Sequence, residues 1–313
     1  MVTKAREIGA RITPNNKAVL TMVFGGFMFA SMGALTHALG KECDWLLIAF
    51  IRMFLSFVIT LVLALRADIN PFLLNRPLLW LRSLVGSTAM LATFYALTVL
   101  PIADVAVITE SRPIWVALLA GYLLGESSGR KIWLSIIFGT IGVILVEHPI
   151  ITSGSFAGGV ALYAAVAGAV VMICLRKLRD LDPRVIVTHF SATATLIAFL
   201  ALISLRGEAD FSPLADTHIL LMLLGIGVFG TLGQLAMTKA FSMGEAPSVA
   251  SAGFIKVGFS AGYDVLIWKY VFELPTVLGM LLILGSTAWL FKRKSEPSEQ
   301  KLPVSKIEIK NRA

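Results

Sequence analysis

From Ala18 to Phe291 the chain runs through ten apolar stretches, each long enough to cross a bilayer and separated by short polar breaks. Lipid offers the backbone no hydrogen bonds, so segments of this kind must satisfy their own N–H and C=O groups, as helices do. The spans read as 18–39, 45–65, 78–99, 102–124, 131–147, 156–176, 185–205, 218–241, 246–271 and 275–292. They are continuous apolar runs, unlike the roughly ten-residue alternating segments of an outer-membrane barrel. The expected fold is an all-α integral membrane protein with ten transmembrane helices. Composition agrees: 57% of residues are hydrophobic and 15% charged, whereas a soluble domain carries about 25% charged residues. Ten spans use nearly all of the 313 residues, so any function must sit inside the bundle.

The net charge of +8 could suggest nucleic acid, but its distribution reports topology. If both termini are cytoplasmic, 19 of the 27 Lys and Arg residues fall on inside segments or adjoining span ends. Lys41, Arg206 and Lys269 fall outside, and Arg52, Arg82, Arg112, Lys239 and Lys256 lie within spans. This is the positive-inside asymmetry, and it supports an even number of crossings. Trp45, Trp80, Trp133, Trp268 and Trp289 lie near span ends, as interfacial anchors do. Residues 1–17 read as a cytoplasmic N-terminal segment and 293–313 as a disordered cytoplasmic tail. Compact loops and the lack of a glycosylation sequon favour a bacterial cytoplasmic (inner) membrane.

Several chemistries find no support. Cys43 and Cys174 fall near opposite faces and form neither a disulfide framework nor a metal site, and His37 and His189 lack ligand spacing. No glycine-rich turn completed by Lys and Ser or Thr holds a nucleotide, so no cofactor is expected and a proton or substrate gradient must supply energy.

A shift of 144 residues superposes 86–121 on 230–265, pairing Gly86 with Gly230, Ala96 with Ala240, Val105 with Val249 and Ala117 with Ala261. Both stretches follow one plan: a Gly-led span, a short break with Pro101 or Pro247, a span holding Arg112 or Lys256, and an acidic end at Glu126 or Glu273. Two five-span halves, 18–147 and 156–292, would enter the membrane from opposite sides as inverted repeats, with a site at the midplane between them. Together with the segments ALTVLPIADVAVI, AFSMGEAPSVASA and PIWVALLAGYLLGE, this layout resembles the EamA branch of the drug/metabolite transporter superfamily. The resemblance implies a carrier of small metabolites with a cavity lined by spans one, three, four, six, eight and nine. Similar carriers move amino acids, S-adenosylmethionine or riboflavin. Glu110 and Lys256 depart from the commoner pattern, which is uncharged at those positions.

Charges at the centre of a membrane helix cost about 2.5–3.5 kcal/mol on insertion scales, so each needs a partner or a purpose. In span four, Ala103, Ala106, Glu110, Pro113, Ala117 and Gly121 follow helical steps and form one small-residue stripe. Arg112 points to another sector of a regular helix and should pair poorly with Glu110. In span nine, Ser248, Ala252, Lys256, Ser260 and Asp264 draw a polar line along one face. These residues lead to the expectation that Arg112 and Lys256 bind a substrate anion while Glu110 neutralises one of them or exchanges a proton. The plainer alternative is that Glu110 and Lys256 only pin spans four and nine together. Tyr95, Gln234, Trp115 and Tyr263 are candidates for lining the cavity. Arg82 and Lys239 read as anchors that snorkel to the surface, and Arg52 as a residue paired within the bundle.

The expected function is a secondary carrier that moves a small organic metabolite, an amino-acid-like zwitterion or an organic anion, by alternating access. Its partners are that metabolite, the bilayer and, if coupled, protons; a homodimer is compatible and nucleic acid is not expected. Two rivals remain: a membrane enzyme acting on a lipid or prenyl substrate, for which the chain shows no cluster of acids or nucleophile beside a base, and a passive channel.

Overall fold

The computed structural model describes residues 13–291 apart from 41, 72, 74, 101, 127, 148–155, 207–210, 270 and 272. Most of the N-terminal segment and all of the tail 293–313 lie outside the described residues, as do Lys41 and Pro101. Every regular element among the described residues is helical. The helices are α1 (Pro14–Leu39), α2 (Trp45–Leu65), α3 (Pro77–Val99), α4 (Ile102–Glu110), α5 (Arg112–Leu124), α6 (Arg130–Glu147), α7 (Phe156–Lys177), α8 (Pro183–Arg206), α9 (Thr217–Met243), α10 (Ala246–Ala252), α11 (Ile255–Trp268) and α12 (Leu274–Phe291). Six stretches are long and apolar enough to cross a membrane on those grounds alone: Pro14–Leu39, Trp45–Leu65, Val105–Leu124, Phe156–Lys177, Pro183–Leu205 and Thr217–Met243.

Local chemistry sets the ends. Thr13 Oγ1 accepts from the Asn16 amide at 3.3 Å and Pro14 opens α1. Asp44 and Asp216 cap α2 and α9 by accepting from the amides of Leu46 and His218 at 2.8 and 2.7 Å. These side chains supply acceptors to the first-turn N–H groups that a helix cannot satisfy itself. Gly125 closes α5 at φ 66°, a left-handed conformation that glycine adopts without a Cβ clash.

Spans four and nine are each broken in mid-course. Pro113 has no amide hydrogen, so the carbonyl of Thr109, four residues back, loses its helical donor. The side chain of Arg112 replaces it, donating from Nε to Thr109 O at 2.7 Å. Around it the backbone tightens to three-residue bonds, Ser111 N to Ile108 O at 3.2 Å and Ile114 N to Ser111 O at 3.0 Å. Span nine breaks without proline. Gly253 N to Ala250 O and Lys256 N to Gly253 O, at 3.0 and 3.1 Å, are again three-residue bonds between α10 and α11. Short 3₁₀ stretches inside long helices mark places where the rod changes direction at modest cost.

The principal contacts pair α1 with α9, α3 with α7, α2 with α8, and α6 with α12. Phe50 meets Phe199 with ring centroids 5.4 Å apart, Met53 packs with Phe190, and Arg184 Nη1 donates to Leu63 O at 3.4 Å, so α2 and α8 run antiparallel. Ser135 Oγ donates to Ser286 O at 3.0 Å while Gly142 lies against Gly279 and Ile283, so α6 and α12 also run antiparallel. At that crossing the backbones touch. A Cβ on Gly142 would stand 2.7 Å from Gly279 O, and one on Gly279 would stand 2.6 Å from Gly142 O. Gly142→Ala or Gly279→Ala should therefore destabilise the purified protein by about 1–3 kcal/mol, the usual effect of overpacking. Thermal unfolding in detergent measures this, and an unchanged melting temperature in both variants would contradict the close crossing.

Candidate functional site

The two helix breaks bring their charges together. Lys256, the second residue of α11, donates through Nζ to Glu110 Oε1 at the end of α4, and Arg112 Nη2 approaches the same oxygen at 3.6 Å. The Glu110 side chain is 11% exposed, against 34% for Lys256 and 29% for Arg112, so the carboxylate is more enclosed than either cation. One oxygen thus serves two cations, one from each half of the sequence. The expectation that Arg112 would point away from Glu110 fails because it assumed a regular helix; Ser111 is a turn between α4 and α5, which lets the two side chains converge. Gly168 of α7 makes room, since a Cβ there would lie 2.7 Å from Arg112 Cδ.

The other expected site residues divide into groups. Tyr263 shares a 2.7 Å hydrogen bond with Ser31 of α1 and stacks near Phe27 at a centroid distance of 6.3 Å, which ties α11 to α1 beside the charges. Ser260 is half-buried one turn beyond Lys256, and Asp264 is exposed one turn further. Trp115 Nε1 donates to Ser111 Oγ at 3.2 Å and packs against the cluster around Val116 and Leu175, so it braces the break from within the core. Gln234 is buried on α9. Tyr95 sits apart at the α3–α7 seam, edge-on to Phe156 at 6.2 Å.

Three features differ from the sequence expectation or escape it. Ser248 does not continue the polar line of α11, because the break at Gly253 and Phe254 separates it; it is buried and accepts from Asn15 Nδ2 at 3.1 Å. Arg82 does not snorkel. It is 1% exposed, with its guanidinium 3.9 Å from the centre of the Phe190 ring, a cation–π contact in the seam of α3 and α8. Glu147 ends α6, a helix that packs against α11. Its only signal in the sequence is an acid ending an apolar span.

A second polar assembly joins helix ends on one face of the bundle. Glu126, just beyond α5, pairs through Oε1 with Arg176 Nε of α7 at 2.6 Å and accepts through Oε2 from the Ala246 amide at 2.8 Å. A carboxylate at the start of α10 suits the positive end of the helix dipole. Arg176 Nη1 also donates to Ser242 O at 3.3 Å, and Asn15 Oδ1 accepts from the Glu245 amide at 3.1 Å. These bonds join the ends of α1, α5, α7, α9 and α10. Nearby, Asp182 accepts from Arg184 at 2.9 Å, a bond that holds its carboxyl below the usual range. All described ion pairs lie either around Glu110 or on this basic face.

Comparison with known proteins places the chain. The pseudopaline exporter of Pseudomonas aeruginosa strain UCBPP-PA14 is 29% identical over 278 residues, covering 88% of this chain and 96% of that protein. The S-adenosylmethionine uptake transporter of Rickettsia bellii is 23% identical over 265 residues, 84% of this chain and 89% of its own length. Human solute carrier family 35 member G1 is 28% identical over 233 residues, 70% of this chain and 63% of that one. A solved crystal structure superposes with a TM-score of 0.76 at 15% identity, over 87% of this chain and 95% of that chain, a likeness of fold. These named relatives are membrane transporters, not enzymes. The EamA-like transporter profile matches residues 16–147 and again 156–292, and the chain belongs to the EamA-like transporter family.

Proposed function

We propose that this transporter is a secondary carrier that moves a small organic metabolite by alternating access, with Glu110, Arg112 and Lys256 in the substrate path. The observation that carries this reading is the Lys256–Glu110 contact, which joins the two halves at the point where both central helices break. Interrupted helices at the meeting of two repeats are the arrangement from which carriers build binding sites, because the freed backbone and the charges face a cavity and not lipid.

In this reading α4 with α5, and α10 with α11, each count as one crossing, which gives ten crossings in two five-helix units. The units are inverted. Support comes from α2 against α8 and α6 against α12: these are the second and fifth spans of each half, and both pairs run antiparallel. The basic face is the cytoplasmic side of a bacterial inner membrane, with both termini there. The assembly around Glu126 and Arg176 is then a cytoplasmic gate in its closed state, and the site communicates with the other side. The substrate is an amino-acid-like zwitterion or organic anion, driven by its own gradient or by protons carried on Glu110. Relatives named for export and for uptake fit a carrier whose direction follows the gradient.

Counterflow in proteoliposomes tests the site. Glu110→Gln and Lys256→Met should each lower transport at least tenfold, but Glu110→Gln leaves Lys256 and Arg112 without the carboxylate they share. The double variant Glu110→Gln/Lys256→Met removes both charges and should fold yet remain inactive. Full transport by the double variant would reduce the pair to a fastening between the halves.

The gate has its own test. Ala250→Cys, in a background lacking Cys43 and Cys174, introduces a thiol at a site only 2% exposed, behind the closed face. A membrane-impermeant maleimide applied from the basic face should label it poorly. Glu126→Gln or Arg176→Gln should raise the labelling rate several-fold, and an unchanged rate would contradict the gate.

A further inference from the structure

The seam between α3 and α7 ends on the basic face in a cleft of about 460 Å³, whose lining includes Arg76, Pro77, Leu78, Lys177, Arg179 and Asp180. The two helices run antiparallel along this seam: Arg76 pairs with Asp180 at 3.7 Å, Gly86 faces Val171, and Thr88 shares a 2.8 Å hydrogen bond with the Tyr163 hydroxyl. Asp180 is the one acid in the lining, and it already faces Arg76. The side chains of Lys177 and Arg179 take part in no ion pair among the described residues, and Asp182, just beyond the cleft, is held by Arg184 at 2.9 Å. Counting Arg76, Lys177 and Arg179 against Asp180, the cleft carries an excess of positive charge.

A further cation lies beneath it. Arg82 stands one turn below Leu78 on the same face of α3, about 6 Å along the axis. None of its guanidinium nitrogens has a hydrogen-bond partner among the described residues, and the Phe190 ring holds the group without neutralising it. Side chains of a helix lean toward its N-terminus, which for α3 is the end at the cleft. Toward the lipid the seam turns apolar: Pro77, Leu81, Leu84 and Thr88 follow helical steps down α3 and are exposed, with Trp80 beside them. From Pro77 to Thr88 is about 16 Å, roughly half of a hydrocarbon core of about 30 Å.

We propose that this cleft binds one anionic phospholipid, with its phosphate on Arg76, Lys177 and Arg179 and an acyl chain along Leu81 and Leu84. Guanidinium forks match phosphate oxygens in pairs, and a lysine adds a point charge. Basic pockets between membrane helices take anionic headgroups in this way. A soluble phosphate would use the cations and leave the apolar stripe without a role, so a lipid is the occupant that fits both parts. The site concerns contact with the bilayer and does not depend on the substrate or the cycle proposed above.

The test is native mass spectrometry and thermal unfolding of the purified protein in detergent with dioleoyl phosphatidylglycerol, dioleoyl phosphatidylcholine or inorganic phosphate. Phosphatidylglycerol should stay bound as a single adduct and raise the melting temperature. Phosphatidylcholine, with the same chains, and inorganic phosphate should bind several-fold more weakly. Arg76→Gln, Lys177→Gln and Arg179→Gln should each weaken phosphatidylglycerol binding about fivefold, and Asp180→Asn should strengthen it. Arg130→Gln and Lys131→Gln, on the same face but outside the cleft, should leave it unchanged; all six positions are exposed, so the variants should fold. Equal retention of the two lipids, equal losses in cleft and control variants, or weaker binding by Asp180→Asn would overturn the site. Stabilisation by inorganic phosphate equal to that by phosphatidylglycerol would overturn the lipid as its occupant.

Discussion

The structure depends on one constraint: a helix inside a membrane that gives up a backbone hydrogen bond must replace it from within the protein. Span four gives one up at Pro113, and the side chain of Arg112 supplies the donor that Thr109 O has lost. Arg112 is thereby held at the break, close enough to share Glu110 with Lys256. The charges are there because the backbone is interrupted, and the interruption is stable because a charge repairs it. Span nine reaches the same result at Gly253 and Phe254 through three-residue bonds alone.

Around this centre the helices pack by close approach of small residues, most tightly where Gly142 and Gly279 let the backbones of α6 and α12 touch. Without much help from hydrophobic burial between helices in lipid, polar contacts become the selective fastenings. The ion pairs among the described residues fall in two places, the Glu110 cluster and the basic face around Glu126 and Arg176. In the proposed alternating-access cycle the contacts on this face open in a second state and the central contacts rearrange.

Much of this was legible in the sequence because lipid imposes long apolar runs, and the runs are visible by inspection. The charges of spans four and nine stood out for the same reason; the shared plan of the two repeats matched Arg112 with Lys256, and the pairing of Glu110 with Lys256 stood as the plainer alternative. What could not be read was the effect of the breaks. Pro113 is plain in the sequence, but a regular helix was the natural template, and on it Arg112 turns away from Glu110 and Ser248 falls in line with Lys256. Glu147 was invisible for another reason: at the end of a span an acid looks like a boundary residue, and only the packing of α6 against α11 brings that helix beside the one that carries Lys256. Arg82, near a span end, was equally ambiguous; depth alone allows snorkelling, and the ring of Phe190 in a different helix decides otherwise.

The central claim is that Glu110, Arg112 and Lys256 meet the transported molecule. The most direct measurement is an electron cryomicroscopy structure of the protein with a metabolite it transports. The account predicts density for that metabolite between the two helix breaks, with polar atoms within hydrogen-bond distance of Arg112 or Lys256. A bound metabolite elsewhere in the bundle, with the three side chains arranged as they are here, would contradict it.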